Sequence, residues 1–233
     1  MENEGKWLLE EKYNGVPTPE YEQDLARLKA GEPLAYIIGH IPFLGTTIYL
    51  DSRPLIPRPE TEYWVEQIIK DMPESPRVLD LCAGSGCIGI AVQSARPNAQ
   101  VDFAEIDERH HETIRKNGGE QIYGGDLFEN LTRKYDYILT NPPYIDPEID
   151  RAEESVKAYE PHNALYGGED GMELITRIIE EAPHYLKEGG TLVIEHEPEQ
   201  AEEIARLATE SGFACETKKD QYGTCRWSIL KRD

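Results

Sequence analysis

Four consecutive residues, Asn141-Pro142-Pro143-Tyr144, carry the most specific chemistry in this sequence. The Asn141 side chain offers a carbonyl acceptor, and Pro142 offers a backbone carbonyl. The two prolines stiffen the turn. Two acceptors at a fixed separation can each take one N–H of a planar –NH₂ group. That arrangement turns the nitrogen's face toward an electrophile and favours positive charge as it develops. Tyr144 can cover the flat group. Where the electrophile is already activated, as a sulfonium methyl is, in-line positioning does most of the work and no strong base is needed.

A second constellation is Cys82-Ala83-Gly84-Ser85-Gly86-Cys87-Ile88-Gly89. Its Gly84-x-Gly86-x-x-Gly89 spacing lets backbone approach a nucleoside ligand with no Cβ in the way. Glu105 stands 21 residues after Gly84, where a carboxylate can accept from both ribose hydroxyls. The loop alone leaves the cofactor open. S-adenosylmethionine has no pyrophosphate, whereas a nicotinamide or flavin dinucleotide would place one on the helix N-terminus. Asp126 is placed to accept from an adenine amino group while Leu127 packs on the ring.

These segments need elements to bring them together. From Arg77 onward, extended runs at 78–81, 101–106, 121–123, 135–140 and 191–195 alternate with helical runs at 87–96, 108–117, 170–187 and 199–211. That alternation predicts a parallel sheet with helices on both faces. Strands at 213–217 and 224–230 predict an antiparallel hairpin that closes it. Ligands of such sheets sit outside the carboxyl ends of the strands. The glycine loop, Glu105 and Asn141 all fall on that rim. Upstream, Thr18-Pro19-Glu20 opens one helix, the only good one expected before Gly31. Residues 34–50 read as a β-hairpin with extended arms at 35–38 and 46–50. The prolines of Ile56-Pro57-Arg58-Pro59 then precede a helix.

Composition narrows the partners. The 233 residues carry 24 Lys and Arg against 45 Asp and Glu, a formal charge of −21. Phosphate backbones and anionic membranes reward the opposite balance. No apolar run approaches the ~18 residues of a membrane span. The acidic first residues do not read as a secretory signal. Cys82, Cys87, Cys215 and Cys225 fit no metal or redox spacing. They read as thiols of a reducing cytosol, although Cys215 and Cys225 could face each other across the last hairpin. His110-His111 reads as a solvated helix face, and no metal site is expected.

The Asn-Pro-Pro-Tyr stretch resembles the motif of methyltransferases that act on planar nitrogens, glutamine or adenine. Leu55-Ile56-Pro57-Arg58-Pro59-Glu60-Thr61-Glu62, Gly31-Glu32-Pro33-Leu34-Ala35-Tyr36, Tyr159-Glu160-Pro161, Ala164-Leu165-Tyr166-Gly167-Gly168 and Asp220-Gln221-Tyr222-Gly223 are similar to the HemK/PrmC family. Those are the bacterial peptide chain release factor glutamine N5-methyltransferases, and the resemblance covers roughly residues 31–230.

The resemblance implies a class I, Rossmann-like methyltransferase fold and S-adenosyl-L-methionine as cofactor. It implies a cytoplasmic enzyme whose substrate is the glutamine of a Gly-Gly-Gln loop in a release factor. Carried over for the cofactor are Cys82, Ala83, Gly84, Ser85, Gly86, Glu105, Leu127 and Asn141, beside the Asp126 assigned above. Asn141, Pro142, Pro143 and Tyr144 would hold the glutamine, with Asn141, Pro142 and Tyr144 the catalytic set and Arg58, Glu60 and Thr61 on the pocket wall.

The organisation expected is a reduced N-terminal helical segment over 1–32, a β-hairpin and linker helix over 33–76, and a methyltransferase domain over 77–233. The family usually carries a larger N-terminal helical domain. Cys82 replaces a usual glycine and Glu105 a commoner Asp. Glu195-His196-Glu197 stands where a glycine-containing turn is usual. The other readings are an adenine-N6 methyltransferase of DNA or RNA, glutamine methylation of a ribosomal protein, and a cofactor-binding but inactive partner subunit. The overall charge disfavours a nucleic-acid substrate.

Overall fold

The computed structural model describes residues 2–232. Its centre is a seven-stranded sheet formed by β3 (Arg77–Leu81), β4 (Gln100–Ala104), β5 (Gln121–Tyr123), β6 (Tyr135–Thr140), β7 (Leu186–Glu195), β8 (Phe213–Lys219) and β9 (Cys225–Arg232). The spatial order is β5-β4-β3-β6-β7-β9-β8. The first five of these are parallel, and β9 inserts antiparallel between β7 and β8. The order reverses between β3 and β6, which is where ligand crevices open in such sheets.

Strands buried on both faces read as apolar runs rather than alternating ones, and β3 follows that rule except at the buried Asp80, which accepts from Gly89 N. Val78 packs in one core layer, while Leu79 and Leu81 pack in the other. The crossover helices are α5 (Cys87–Ala95), α6 (His111–Asn117), α8 (Glu173–Tyr185) and α9 (Ala201–Glu210). Gly89 lets α5 lie close on the sheet, since a Cβ there would sit 2.4 Å from the Phe103 ring.

The N-terminal part departs from expectation in two places. Two helices, α1 (Glu2–Tyr13) and α2 (Pro19–Lys29), precede Gly31, where one was expected. The first is weakly patterned and is held by tertiary contacts. Leu8 buries against Leu28 and Ile37, and Lys12 and Tyr13 both donate to Asp24. Residues 34–38, expected to be extended, form a short helix, α3 (Leu34–Ile38), that ends at Gly39 with φ +94°. β-Branched propensity is overridden there. The Pro33 carbonyl takes the Tyr36 and Ile37 amides, and Gly39 supplies the left-handed stop. The hairpin is therefore β1 (His40–Phe43) and β2 (Thr46–Tyr49).

The linker helix α4 (Pro59–Asp71) and the hairpin share the core of the sheet. Trp64 stacks on Trp227 at 6.2 Å, and Phe43, Ile48 and Leu50 are buried in the same layer. A further helix, α7 (Glu154–Tyr159), lies in a stretch where the sequence predicted none. Cys215 pairs in register with Leu230 and Cys225 with Lys219, so they do not face each other, and all four cysteines are free. Among the described residues no helix is long and apolar enough to cross a membrane, and none of the His, Cys, Asp and Glu side chains forms a metal-binding group.

Candidate active site

The glycine loop leaves β3 through Cys82 (φ +60°), Gly84 (+55°) and Gly86 (+79°). A cysteine in that region is strained, and it stands where the sequence expected a glycine-like role. The loop folds on itself: Ala83 N donates to Ala104 O, and Gly86 N donates to Ala83 O. Cys82 and Gly84 consequently face a cleft of about 430 Å³, whereas Ala83, Ser85 and Gly86 do not line it. Ser85 is buried beneath the loop, and Asn117 holds its carbonyl.

Glu105 follows β4 and forms one wall of the cleft. Its Oε2 accepts from Gly84 N at 2.7 Å and its Oε1 from Asp107 N at 2.8 Å. Each carboxylate oxygen keeps a lone pair for a ligand hydroxyl. Asp126, Leu127 and Asn141 line the same cleft. Asp126 is paired with Arg177 at its outer edge.

The cleft also contains residues the sequence reading passed over. Ile106 lies beside Glu105 and is 60% exposed, an apolar side chain awaiting a cover. Its position immediately after the acidic residue was a usable signal. His110, read as solvated, is buried. Its Nδ1 shares a 2.8 Å hydrogen bond with Ser52 Oγ, and burial depresses its pKa. His111 Nε2 contacts the Glu105 carbonyl at 2.9 Å. The pair is thus structural, because the helix turns its first residues inward under the cleft. Arg109 holds the Asp107 carboxyl down at about 2. Burial drives the Cys82 thiol up to about 12, so it stays neutral.

Asn141 leaves β6 and forms the boundary between this cleft and a second cavity of about 170 Å³. Arg58, Pro142 and Tyr144 line the smaller cavity, while Pro143 lines the larger cleft. Glu60, on the first turn of α4, lines neither. Thr61 lies beneath the wall, not on it: it is buried and touches Asn141 from below. Glu160 anchors the Pro-rich segment. It accepts from Ile56 N at 3.0 Å and from Arg58 Nη2 at 2.6 Å.

The Asn-Pro-Pro-Tyr turn is clamped from outside. Gln200 Nε2 donates to Tyr144 O, Ile145 N donates to Leu165 O, and Gly167 N donates to Ile145 O. A Cβ on Gly167 would lie 2.5 Å from Pro143 O, so the turn needs that glycine against it. Tyr144 directs its hydroxyl into the interior, 3.0 Å from Glu195 Oε1. Asn141 Nδ2 donates to Thr61 Oγ1 at 3.1 Å. Among the described residues no donor engages Asn141 Oδ1 or the Pro142 carbonyl. Two acceptors are thus left without an intramolecular donor, Asn141 Oδ1 at the boundary of the cavities and the carbonyl of Pro142, which lines the smaller one.

A parallel sheet closed by an antiparallel insertion, with a glycine loop, an acidic residue after β4 and a polar turn after β6, defines a class I methyltransferase. A family model described as Methyltransferase small domain matches residues 60–157. A methyltransferase from Pyrococcus furiosus superposes with a TM-score of 0.64 at 19% identity, covering 90% of this chain and 97% of that one. A release factor glutamine methyltransferase of Coxiella burnetii is 39% identical over 220 residues, 88% of this chain and 77% of that protein. One from Streptococcus pneumoniae is 34% identical over 235 residues, 96% of this chain and 84% of that protein. The chain belongs to the release factor glutamine methyltransferase family.

Proposed function

We propose that the protein transfers a methyl group from S-adenosyl-L-methionine to the side-chain amide nitrogen of a glutamine, the Gly-Gly-Gln glutamine of a peptide chain release factor. The observation that carries this reading is the position of Asn141: it stands between a nucleoside-sized cleft and a small cavity, with a free carbonyl acceptor beside that of Pro142.

The cleft fits the cofactor in volume and in charge. About 430 Å³ falls within the roughly 300–1,000 Å³ of small-molecule sites. Glu105, Asp107, Glu108 and Asp126 line it, and its lining holds no Lys or Arg. Such a cleft favours a cationic sulfonium over a pyrophosphate, which supports the first of the two cofactors the loop left open. Glu105 would accept from the ribose hydroxyls, with Ile106 and Leu127 flanking the adenine.

When bound, the cofactor supplies a sulfonium-activated methyl carbon open to in-line displacement. Asn141 Oδ1 and the Pro142 carbonyl would each accept one N–H of the substrate amide. That directs the nitrogen lone pair at the cleft and stabilises the positive charge that grows as the N–C bond forms and the C–S bond breaks. Tyr144 and Leu55 would exclude water. The extra proton leaves to solvent after transfer, since an N-alkylated amide cation is strongly acidic. A flipped adenine would need basic flanks for its backbone, and the one cation lining the small cavity, Arg58, is paired with Glu160.

The test is mass spectrometry of a release factor incubated with the protein and labelled S-adenosyl-L-methionine. The expected result is one methyl on the Gly-Gly-Gln glutamine. Label on a DNA oligonucleotide, or on a ribosomal protein, and none on that glutamine would overturn the proposal.

A further inference from the structure

Glu195 is the last residue of β7 and sits beneath the Asn-Pro-Pro-Tyr turn, 1% exposed. It lines neither the cleft nor the smaller cavity, yet it holds three donors. Its Oε2 takes Thr61 Oγ1 at 2.6 Å and Trp64 Nε1 at 2.7 Å, and its Oε1 takes Tyr144 OH at 3.0 Å. A buried carboxylate carries a large desolvation cost unless its hydrogen bonds are made. Its environment bears this out in direction: burial raises its pKa, and the Thr61, Trp64 and Tyr144 donors together with Arg226 oppose the rise.

With Glu195 ionised, as its three donors favour, the donor inventory leaves one solution for this network. An indole N–H can only donate, so Trp64 holds Oε2 as an acceptor. The Thr61 hydroxyl, facing the same oxygen, must give it its single proton. Thr61 can then only accept on its other side. The group 3.1 Å away on that side is the Asn141 side-chain amide, and it must present nitrogen to Thr61 and oxygen to the cavities. The orientation of an Asn amide is otherwise an inference from its neighbours; here the chain of donors dictates it. This sense of the relay belongs to the ionised carboxylate, which accepts all three donors; a proton carried on Oε2 and given to Thr61 would reverse it.

We propose that Glu195 and Thr61 are positioning residues that set the polarity of Asn141, holding its carbonyl rather than its NH₂ toward the substrate amide. The inference rests on the glutamine reading above. With the polarity reversed, an NH₂ group would face another NH₂ group, and the stabilisation of developing charge would become repulsion. Trp64 is the reference that orients the whole relay, and Tyr144 is tied to the same carboxylate from the other oxygen. One buried side chain thus aligns both the acceptor and the covering ring.

The experiment compares variants in steady-state turnover on a release factor, alongside S-adenosylmethionine affinity by calorimetry and melting temperature. Thr61→Val keeps the shape and removes the relay. It is expected to lower kcat about tenfold or more, by analogy with loss of one preorganised polar group, with cofactor affinity changed less than twofold. Thr61→Ser restores the hydroxyl and is expected to recover most of kcat. Glu195→Gln is expected to lose less than Thr61→Val, because Trp64 and Thr61 both claim the remaining carbonyl and only Tyr144 loses its acceptor. Glu195→Met, with no acceptor, is expected to fall as far as Thr61→Val.

Full kcat in folded Thr61→Val, or Thr61→Ser as poor as Thr61→Val, would overturn the relay. If Thr61→Val does not fold, the Glu195→Gln and Glu195→Met pair decides, and equal kcat in those two overturns it. Wild-type protein that methylates no glutamine would instead overturn the glutamine reading, which keeps the two failures distinct.

Discussion

The cleft walled by Gly84 and Glu105 is held by residues near one another in sequence, whereas the cavity walled by Asn141 and Tyr144 is held by residues far apart. Glu105 binds amides 21 and 2 positions away. Asn141 leans on Thr61 80 positions away, Thr61 on Glu195 134 away, and Arg58 on Glu160 102 away. The glycine loop and Glu105 form a local strand-loop-strand wall of the first region, which Leu55, Asp126, Asn163 and Leu174 complete from elsewhere in the chain. The second is a buried polar network drawn from α4, β6, β7 and the segment after α7. Binding a flexible, charged cofactor needs a cradle and a field. Aligning a weak nucleophile needs side chains locked from several directions, and only distant parts of the chain can supply those directions.

That contrast can be broken or sharpened by substitution. The largest effect is expected from Asn141→Ala, which removes one of two acceptors: kcat should fall on the order of 100-fold, with the melting temperature close to wild type and a much smaller loss of cofactor affinity, since Asn141 also lines the cleft. Comparable loss of cofactor affinity would mean the two regions are not separable. Next comes Glu105→Ala on the other side, expected to weaken cofactor binding on the order of tenfold or more, as for a hydrogen bond to a charged group, measured by calorimetry. An unchanged dissociation constant would refute its ribose role.

Gly89→Ala probes the packing under the cleft. Its Cβ would meet Phe103 at 2.4 Å, and overpacking of that kind costs about 1–3 kcal/mol, readable in denaturant unfolding. Glu160→Gln keeps an acceptor for Ile56 N and removes the charge that pairs Arg58. A severalfold rise in the KM for the release factor is expected, with cofactor affinity unchanged.

A last effect, on stability and not on catalysis, is a pH dependence at the end of β7. Burial lowers the His196 pKa from 6.5 to about 4. The unfolded chain binds a proton there that the folded protein refuses, so stability is full above pH 6.5 and declines as pH falls toward about 4. The slope approaches about 1.4 kcal/mol per unit. His196→Gln should flatten that limb of a stability curve, and an unaltered limb would show that other groups govern it.

Much of this was legible in the residues. The alternation from Arg77 onward describes the observed sheet, because buried parallel strands must be apolar and crossover helices must be amphipathic. Glu105, Asp126 and Asn141 fall on the rim where the strand ends put them. The failures have a common origin. The Leu34–Ile38 stretch has strand propensity, but Gly39 and the core around Leu8 make it a helix. His110 looks polar and exposed on its own helix, but Ser52, 58 positions away, packs over it.

The sequence by itself determined the fold class, the rim on which a ligand would sit, and a pair of acceptors suited to a planar nitrogen. Those depend on residue type and short-range periodicity, which the chain carries in every neighbourhood. The tertiary structure alone decided which end of the Asn141 amide faces the substrate, why Tyr144 turns its hydroxyl inward, and which carboxylate governs both. Motif residues declare what can donate or accept, but the polarity of a hydrogen-bonded chain is set at its far end. Here that end is a tryptophan N–H and a buried glutamate brought together by folding.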